Sequence, residues 1–249
     1  MEIKVVKLYE GGFMTEPFAF GGGDLDTVWD EKKTYPSSLQ NYLIDTGKEL
    51  ILVDTGIPKE LPDTEPKEGQ KIYQGKRIKD YMSALSDLGY EAGDVSKILL
   101  THKHPDHSGE LRNFPNAKIY MSHAEADALK LEGDHIVRVD FKDGAYHNFE
   151  ASEKIADGIY LIPAPGHTKG NSLVMVEQDG LFYMLHGDIT YTDAALKANK
   201  LSIVFEDIDL ARQTLDKVRT FIKENKTVYL STHTPEGIEN LKQNKVMEL

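Results

Sequence analysis

The sequence predicts a mixed protein of the α+β class, a layered sandwich with strands inside and helices outside. Three observations carry this. Short apolar runs of strand length recur in both halves of the 249 residues. Helical spacing follows the strands in each half instead of alternating strictly with them. No linker or low-complexity stretch separates the halves, so residues 1–249 read as a single domain. A folded chain of this size hides roughly three quarters of its extended surface, enough for a substantial core.

Taken in order, residues 3–9 (IKVVKLY), 41–46 (NYLIDT) and 49–56 (ELILVDTG) read as strands, the last two joined by a hairpin turn at DTGKE. Residues 77–88 place Ile78, Tyr81, Met82, Leu85 and Leu88 at helical intervals, and Gly89 stops the run. Residues 96–102 and 117–122 are strands, and Ser122 caps a helix over 122–131. In the second half, GIYLIPAPGH, NSLVMVEQ and LFYMLHGD form three strands, residues 209–224 an amphipathic helix, and 226–233 a last strand. Two segments resist regular assignment. Residues 11–37 hold Gly21–Gly23 with Phe13, Phe18, Phe20, Trp29 and Tyr35, and 57–75 are rich in Pro, Gly and charge. Long loops of this kind often serve as lids or mobile segments.

The formal net charge of −12 opposes binding to nucleic acid or to an anionic membrane surface. Cysteine is absent, which excludes disulfides and thiolate metal sites. No apolar run has the length of a signal peptide or membrane span, so a cytoplasmic location is expected. The expected partner is a small-molecule substrate, and a homodimer is allowed.

Residues 101–110, THKHPDHSGE, concentrate three of the nine histidines and an aspartate between His102 and His107. Neutral imidazole and carboxylate are the usual zinc ligands where thiolates are lacking. His102 and His104 are spaced to take one cation, and Asp106 with His107 a second. The alternative is a solvated turn with accidental histidines. One turn cannot fill two coordination shells, so further donors are expected at the ends of other strands. His167 follows YLIPAPG, Asp188 follows FYMLHG, and His233 follows VYLST, each in the position His102 has after SKILL.

In order, THKHPDH, PGHTKG, HGD and STH, together with ILVDTG at 51–56, resemble the metallo-β-lactamase superfamily of binuclear metallohydrolases over roughly residues 38–235. The resemblance implies a four-layer αββα sandwich with two metals at one edge. It implies His102, His104 and His167 on the first metal, Asp106, His107 and His233 on the second, Asp188 bridging them, and Asp54 bracing the histidine turn. Within the superfamily the match is closest to the N-acyl homoserine lactonases. Chain length, the 60-residue step from His107 to His167 and the 45-residue step from Asp188 to His233 are similar to theirs. Asp188-Ile-Thr-Tyr191 resembles their bridging Asp followed by an active-site Tyr.

The resemblance implies a quorum-quenching lactonase that opens a lactone ring by attack of hydroxide shared between two metals. Such sharing lowers the pKa of water from about 15.7 toward 7. Asp106, Asp188 and Tyr191 are the expected catalytic residues, with Tyr191 steadying the oxyanion and either carboxylate shuttling the proton. Zinc suits the ligand set best, and Mn, Fe or Co could occupy it. The aromatics of 11–37 could line an acyl groove or simply pin a loop. The alternative hydrolase readings are a glyoxalase II-like thioesterase, a phosphoesterase or a β-lactamase. Against the first stand the mere sixteen residues after His233, against the second the acidic charge, and against the third the lack of a signal peptide. A diiron oxygen reductase would need Glu in place of His104, and a non-catalytic metal-binding or sensor protein would be expected to have lost ligands. His186 is expected to be buried with a backbone partner, His123, His135 and His147 to lie on the surface or in loops, and Gly21–Gly23 to supply flexibility.

Overall fold

A computed structural model describes residues 1–24 and 26–249. Its elements, in chain order, are β1 (Glu2–Thr15), α1 (Glu16–Phe20), β2 (Thr34–Asp45), β3 (Leu50–Val53), β4 (Ile72–Arg77), α2 (Tyr81–Asp87), β5 (Val95–Leu99), α3 (Pro105–Ser108), β6 (Lys118–Ser122), α4 (His123–Leu129), β7 (Ile136–Val139), β8 (Glu153–Ala156), β9 (Ile159–Pro163), β10 (Ser172–Gln178), β11 (Leu181–Leu185), α5 (Asp193–Ala198), α6 (Ile208–Glu224), β12 (Thr227–Leu230) and α7 (Pro235–Gln243). Among the described residues the first sheet runs β4-β1-β2-β3-β5-β6-β7 and the second β12-β11-β10-β9-β8.

The period-2 alternation of strand side chains builds the layers. Ile44, Ile51, Val53, Leu99, Leu161, Val174, Val176 and Leu230 point between the sheets and form the central core. Their neighbours Leu43, Leu52 and Ile98 point the other way and pack on Tyr81 and Leu85 of α2 and Ala126 of α4. On the far side Leu173, Met175 and Met184 meet Leu215, Val218, Phe221 and Ile222 of α6. The buried face of α6 recurs at three- and four-residue intervals, which makes it the outer wall of the second sheet. Helices, sheet, sheet and helices give the expected four-layer αββα sandwich.

Strand direction places the ligand-bearing loops. β3 and β5 are parallel, so Asp54 and His102 emerge at one edge. β9 and β11 are each antiparallel to β10, and β12 is parallel to β11, so His167, Asp188 and His233 emerge together as well. The Thr101 carbonyl accepts from Ser172 N at 2.9 Å and joins the two edges.

Several elements differ from expectation. Strand β1 continues to Thr15, α1 follows it, and β2 begins at Thr34, so residues 11–20 and 34–37 lie in regular elements. Gly22 pairs with Leu201, so the glycine run is tied down. The expected helix over 77–88 starts at Tyr81. Asp80 caps it, its carboxylate accepting from Ser83 N at 3.1 Å, while Ile78 N still donates to Leu8 O at 2.7 Å in the manner of the preceding strand. β4, β7, β8 and α5 are short and carry too little periodicity to be legible, and the nine-residue α7 was also not expected. Among the described residues no helix is long and apolar enough to cross a membrane.

Candidate metal centre

The histidine turn is set by Asp54. This residue ends β3 in the left-handed region, at φ +65°, which a short polar side chain tolerates. There its carboxylate accepts from Thr101 N and Thr101 Oγ1, each at 2.8 Å, and meets His107 Nδ1 at 2.7 Å. Tyr81 Oη in turn donates to the Asp54 carbonyl at 2.9 Å. The expected bracing role of Asp54 is therefore visible atom by atom.

The seven expected donors converge. His102, His104 and His167 form one set, Asp106, His107 and His233 another, and His102, His107 and Asp188 a third, with ligand atoms of each set within 4.8 Å of one another. In the first set, His104 Nδ1 lies 3.1 Å from His102 Nε2 and 2.9 Å from His167 Nε2. In the second, His107 Nε2 and His233 Nε2 are 3.3 Å apart, and Asp106 Oδ2 is 3.5 Å from His233 Nε2. Asp188 stands between the sets. Its carboxylate is 3.4 Å from His167 and 3.9 Å from His102 on one side, and 3.3 Å from His107 and 3.2 Å from His233 on the other.

This donor set fits divalent cations. His104 Nδ1 can share a proton with His102 Nε2 or with His167 Nε2 but not with both, so imidazoles aimed at a common point leave a nitrogen unsatisfied. Asp188 Oδ1 and His233 Nδ1 are buried with no hydrogen-bond partner among the described residues, which is costly for a carboxylate unless a cation meets it. Burial, with the His107 and His167 imidazoles nearby, holds His102 well below its ordinary pKa, so it is a neutral donor. Burial alone would raise Asp188, but the imidazoles of His233, His107 and His167 pull it well below the usual carboxylate range.

The rings are held from behind. His102 Nδ1 lies 3.0 Å from Thr101 Oγ1, and His167 Nδ1 3.0 Å from the Val204 carbonyl. Such partners fix ring orientation and raise ligand basicity. The His233 loop is clamped by β2, where the buried Gln40 amide donates to the carbonyls of Ser231 and Thr234, each at 2.7 Å. Glu125 joins the first two ligand loops. Its buried carboxylate accepts from Lys103 N at 2.6 Å, and from Thr168 Oγ1 and Gly170 N at 2.8 Å. Gln74 donates to Asp106 Oδ2 at 3.0 Å.

Tyr191 packs beside the donors, its ring 5.3 Å from that of His233 and nearly perpendicular to it. Burial first, then the Asp188 and Asp106 carboxylates, push its hydroxyl well above the usual phenol range, so it is a proton donor. Phe18 stacks on its other side at 5.5 Å. Phe20 packs on Trp29 and Tyr35, which shows that much of this aromatic segment pins its own fold.

His186 departs from expectation. It is buried, but neither ring nitrogen has a hydrogen-bond partner among the described residues, backbone included, and the ring stacks on Tyr229 at 3.9 Å. β11 ends at Leu185, so His186 lies just beyond the regular strand. His123 is half exposed against Asp140, and His135 and His147 are exposed, as expected. Glu125, Gln40, Thr101 and Gln74 were not singled out by sequence reasoning. Only Thr101, adjacent to His102, and Glu125, in the first turn of a Ser-capped helix, carry a local signal.

The fold is shared with known proteins. A curated N-acyl homoserine lactonase of a Bacillus species is 26% identical over 199 residues, spanning 77% of this chain and 79% of that protein. A crystal structure of a Bacillus thuringiensis AiiA variant with N-decanoyl-L-homoserine bound at the active site superposes with a TM-score of 0.72 at 19% identity, covering 98% of this chain and 96% of that one. AidC, described as a dizinc quorum-quenching lactonase, superposes with a TM-score of 0.65 at 19% identity, covering 94% and 88% of the two chains. The sequence profile of the metallo-beta-lactamase superfamily matches residues 38–233, a span that takes in all seven donors, and the chain belongs to that superfamily.

Proposed function

We propose that this metal-dependent hydrolase opens the ring of N-acyl homoserine lactones or related lactones. The observation that supports this reading most is the position of Asp188 between two three-donor sets, with Tyr191 packed against His233. The 26% identity to N-acyl homoserine lactonase points to the substrate class. In this reading His102, His104 and His167 hold one cation, Asp106, His107 and His233 a second, and Asp188 serves both. Zinc fits the histidine-rich set best. Bound there, the cations would polarise the lactone carbonyl and lower the pKa of water from about 15.7 toward 7.

The chain's own residues do the rest. The Tyr191 hydroxyl donates to the oxygen on which charge develops. Asp106, whose side chain is 20% exposed against 3% for Asp188, carries a proton to the departing ring oxygen. Phe18, stacked on Tyr191, offers an apolar wall for an acyl tail.

Lactone hydrolysis leaves a carboxylic acid and releases a proton, so a pH-stat screen of metal-replete protein tests the reading. Lactones of varied ring and tail should release protons faster than thioester or phosphodiester controls. Turnover of the controls alone would overturn the proposal. Asp106→Ala should abolish lactone hydrolysis and lower metal content, and an unchanged rate would refute its assigned role.

A further inference from the structure

We infer that Gln74 is a positioning residue for the second donor set: its side-chain amide orients Asp106 and so governs how firmly a cation is kept by Asp106, His107 and His233. The inference rests on the two-cation reading above. Nothing in the motifs points to Gln74, which lies on edge strand β4 within a segment that resembles a loop.

Gln74 Nε2 donates to Asp106 Oδ2 at 3.0 Å, across 32 residues of chain. The same oxygen lies 3.5 Å from His233 Nε2. A carboxylate oxygen has two lone pairs, so Gln74 can hold one while the other remains directed at the donor set. Glutamine suits this task chemically. Its N–H fixes the carboxylate without neutralising it, whereas lysine or arginine at this place would compete with a cation for the charge.

The second set depends on this tether more than the first. His102 and His167 have their outer nitrogens engaged by Thr101 and Val204. In the second set His107 is held by Asp54, but His233 Nδ1 has no hydrogen-bond partner among the described residues. Asp106 itself sits in the four-residue α3, where Gln74 is its side-chain amide donor.

The placement of Gln74 is built into the sheet. β4 pairs with β1 at Gly11↔Gly75 and Phe13↔Tyr73. The backbones approach so closely that a Cβ on Gly12 would lie 2.1 Å from the Tyr73 carbonyl oxygen. A Cβ on Gly75, at φ +109°, would lie 2.1 Å from the Glu10 carbonyl oxygen. Glycine at both positions draws β4 in and sets the Gln74 amide over the histidine turn. Only Gly75 also needs the left-handed side of backbone space.

Zinc-loaded parent protein and the near-isosteric Gln74→Met variant are dialysed against graded chelator, and zinc per chain is measured. The parent should keep two ions. Gln74→Met should fall to one ion at about tenfold lower chelator, within the 10–100-fold range typical when such a hydrogen bond is lost. Its metal-free melting temperature should match the parent's, and the substitution should cause no further loss in an Asp106→Ala background. A Gln74→Met curve that follows the parent's overturns the inference, as does an equal loss in the Asp106→Ala background or a lowered metal-free melting temperature. Should Gln74→Met fail to fold, Gln74→Asn, which withdraws the donor by one methylene, is held to the same comparison. A parent that binds no zinc would sink the two-cation reading itself, a result distinct from failure of Gln74 alone.

Discussion

At the scale of single residues, Asp188 and Tyr191 divide the work by environment. Both are buried, yet the surrounding imidazoles keep Asp188 ionised while burial keeps the Tyr191 hydroxyl protonated. Tyr191→Phe should therefore slow lactone turnover by about tenfold or more, as loss of an oxyanion donor does. Metal content should stay at the parent's value, and steady-state kinetics alongside zinc analysis check this. An unchanged rate would remove the hydroxyl from the chemistry. The donors were legible in the sequence because His102, His167, Asp188 and His233 each follow an apolar strand, and His104, Asp106 and His107 crowd the turn after the first of these strands. Their supports were not. Gln40 reaches carbonyls 191 and 194 residues away, and Glu125 meets Lys103, Thr168 and Gly170 across gaps of 22 to 45. No local pattern encodes such pairings.

At the scale of elements, α4 shows how a surface helix serves the centre. Ser122 Oγ accepts from Glu125 N at 3.3 Å and sets the first turn, and Glu125 then binds both ligand loops. Glu125→Ala leaves two buried donors, Thr168 Oγ1 and Gly170 N, and the half-buried Lys103 N unpaired, each buried one worth about 1–3 kcal/mol. It should lower stability by at least that amount in chemical denaturation and reduce zinc per chain, with Glu125→Gln less affected because one acceptor oxygen persists. A Glu125→Ala variant as stable as the parent would contradict this account. Strands β2, β3, β5, β6 and β9–β12 were readable because they are apolar on one or both faces. β4, with Gln74, Gly75, Lys76 and Arg77, is a strand by virtue of its partner β1, and its own composition reads as loop. The start of α2 was misplaced because Ile78 has helical spacing but bonds as the end of a strand.

At the scale of the whole molecule, the two sheets are held by a shared apolar layer, and the donors lie where that layer reaches the edge. Cations bound there stabilise the native state alone. At a free concentration a hundred times the dissociation constant this is worth about 2.7 kcal/mol, which for a chain of this size is a rise of roughly 5–10 °C in melting temperature. Calorimetry before and after chelation should show that difference, and superimposable traces would mean the centre is uncoupled from folding. His102, His104, Asp106 and His107 come from the half ending at β7, while His167, Asp188 and His233 come from the half beginning at β8. Cut between them, neither fragment would own a complete set of donors, so hydrolysis would be a proofreading signal that reports only when the two halves have met in register.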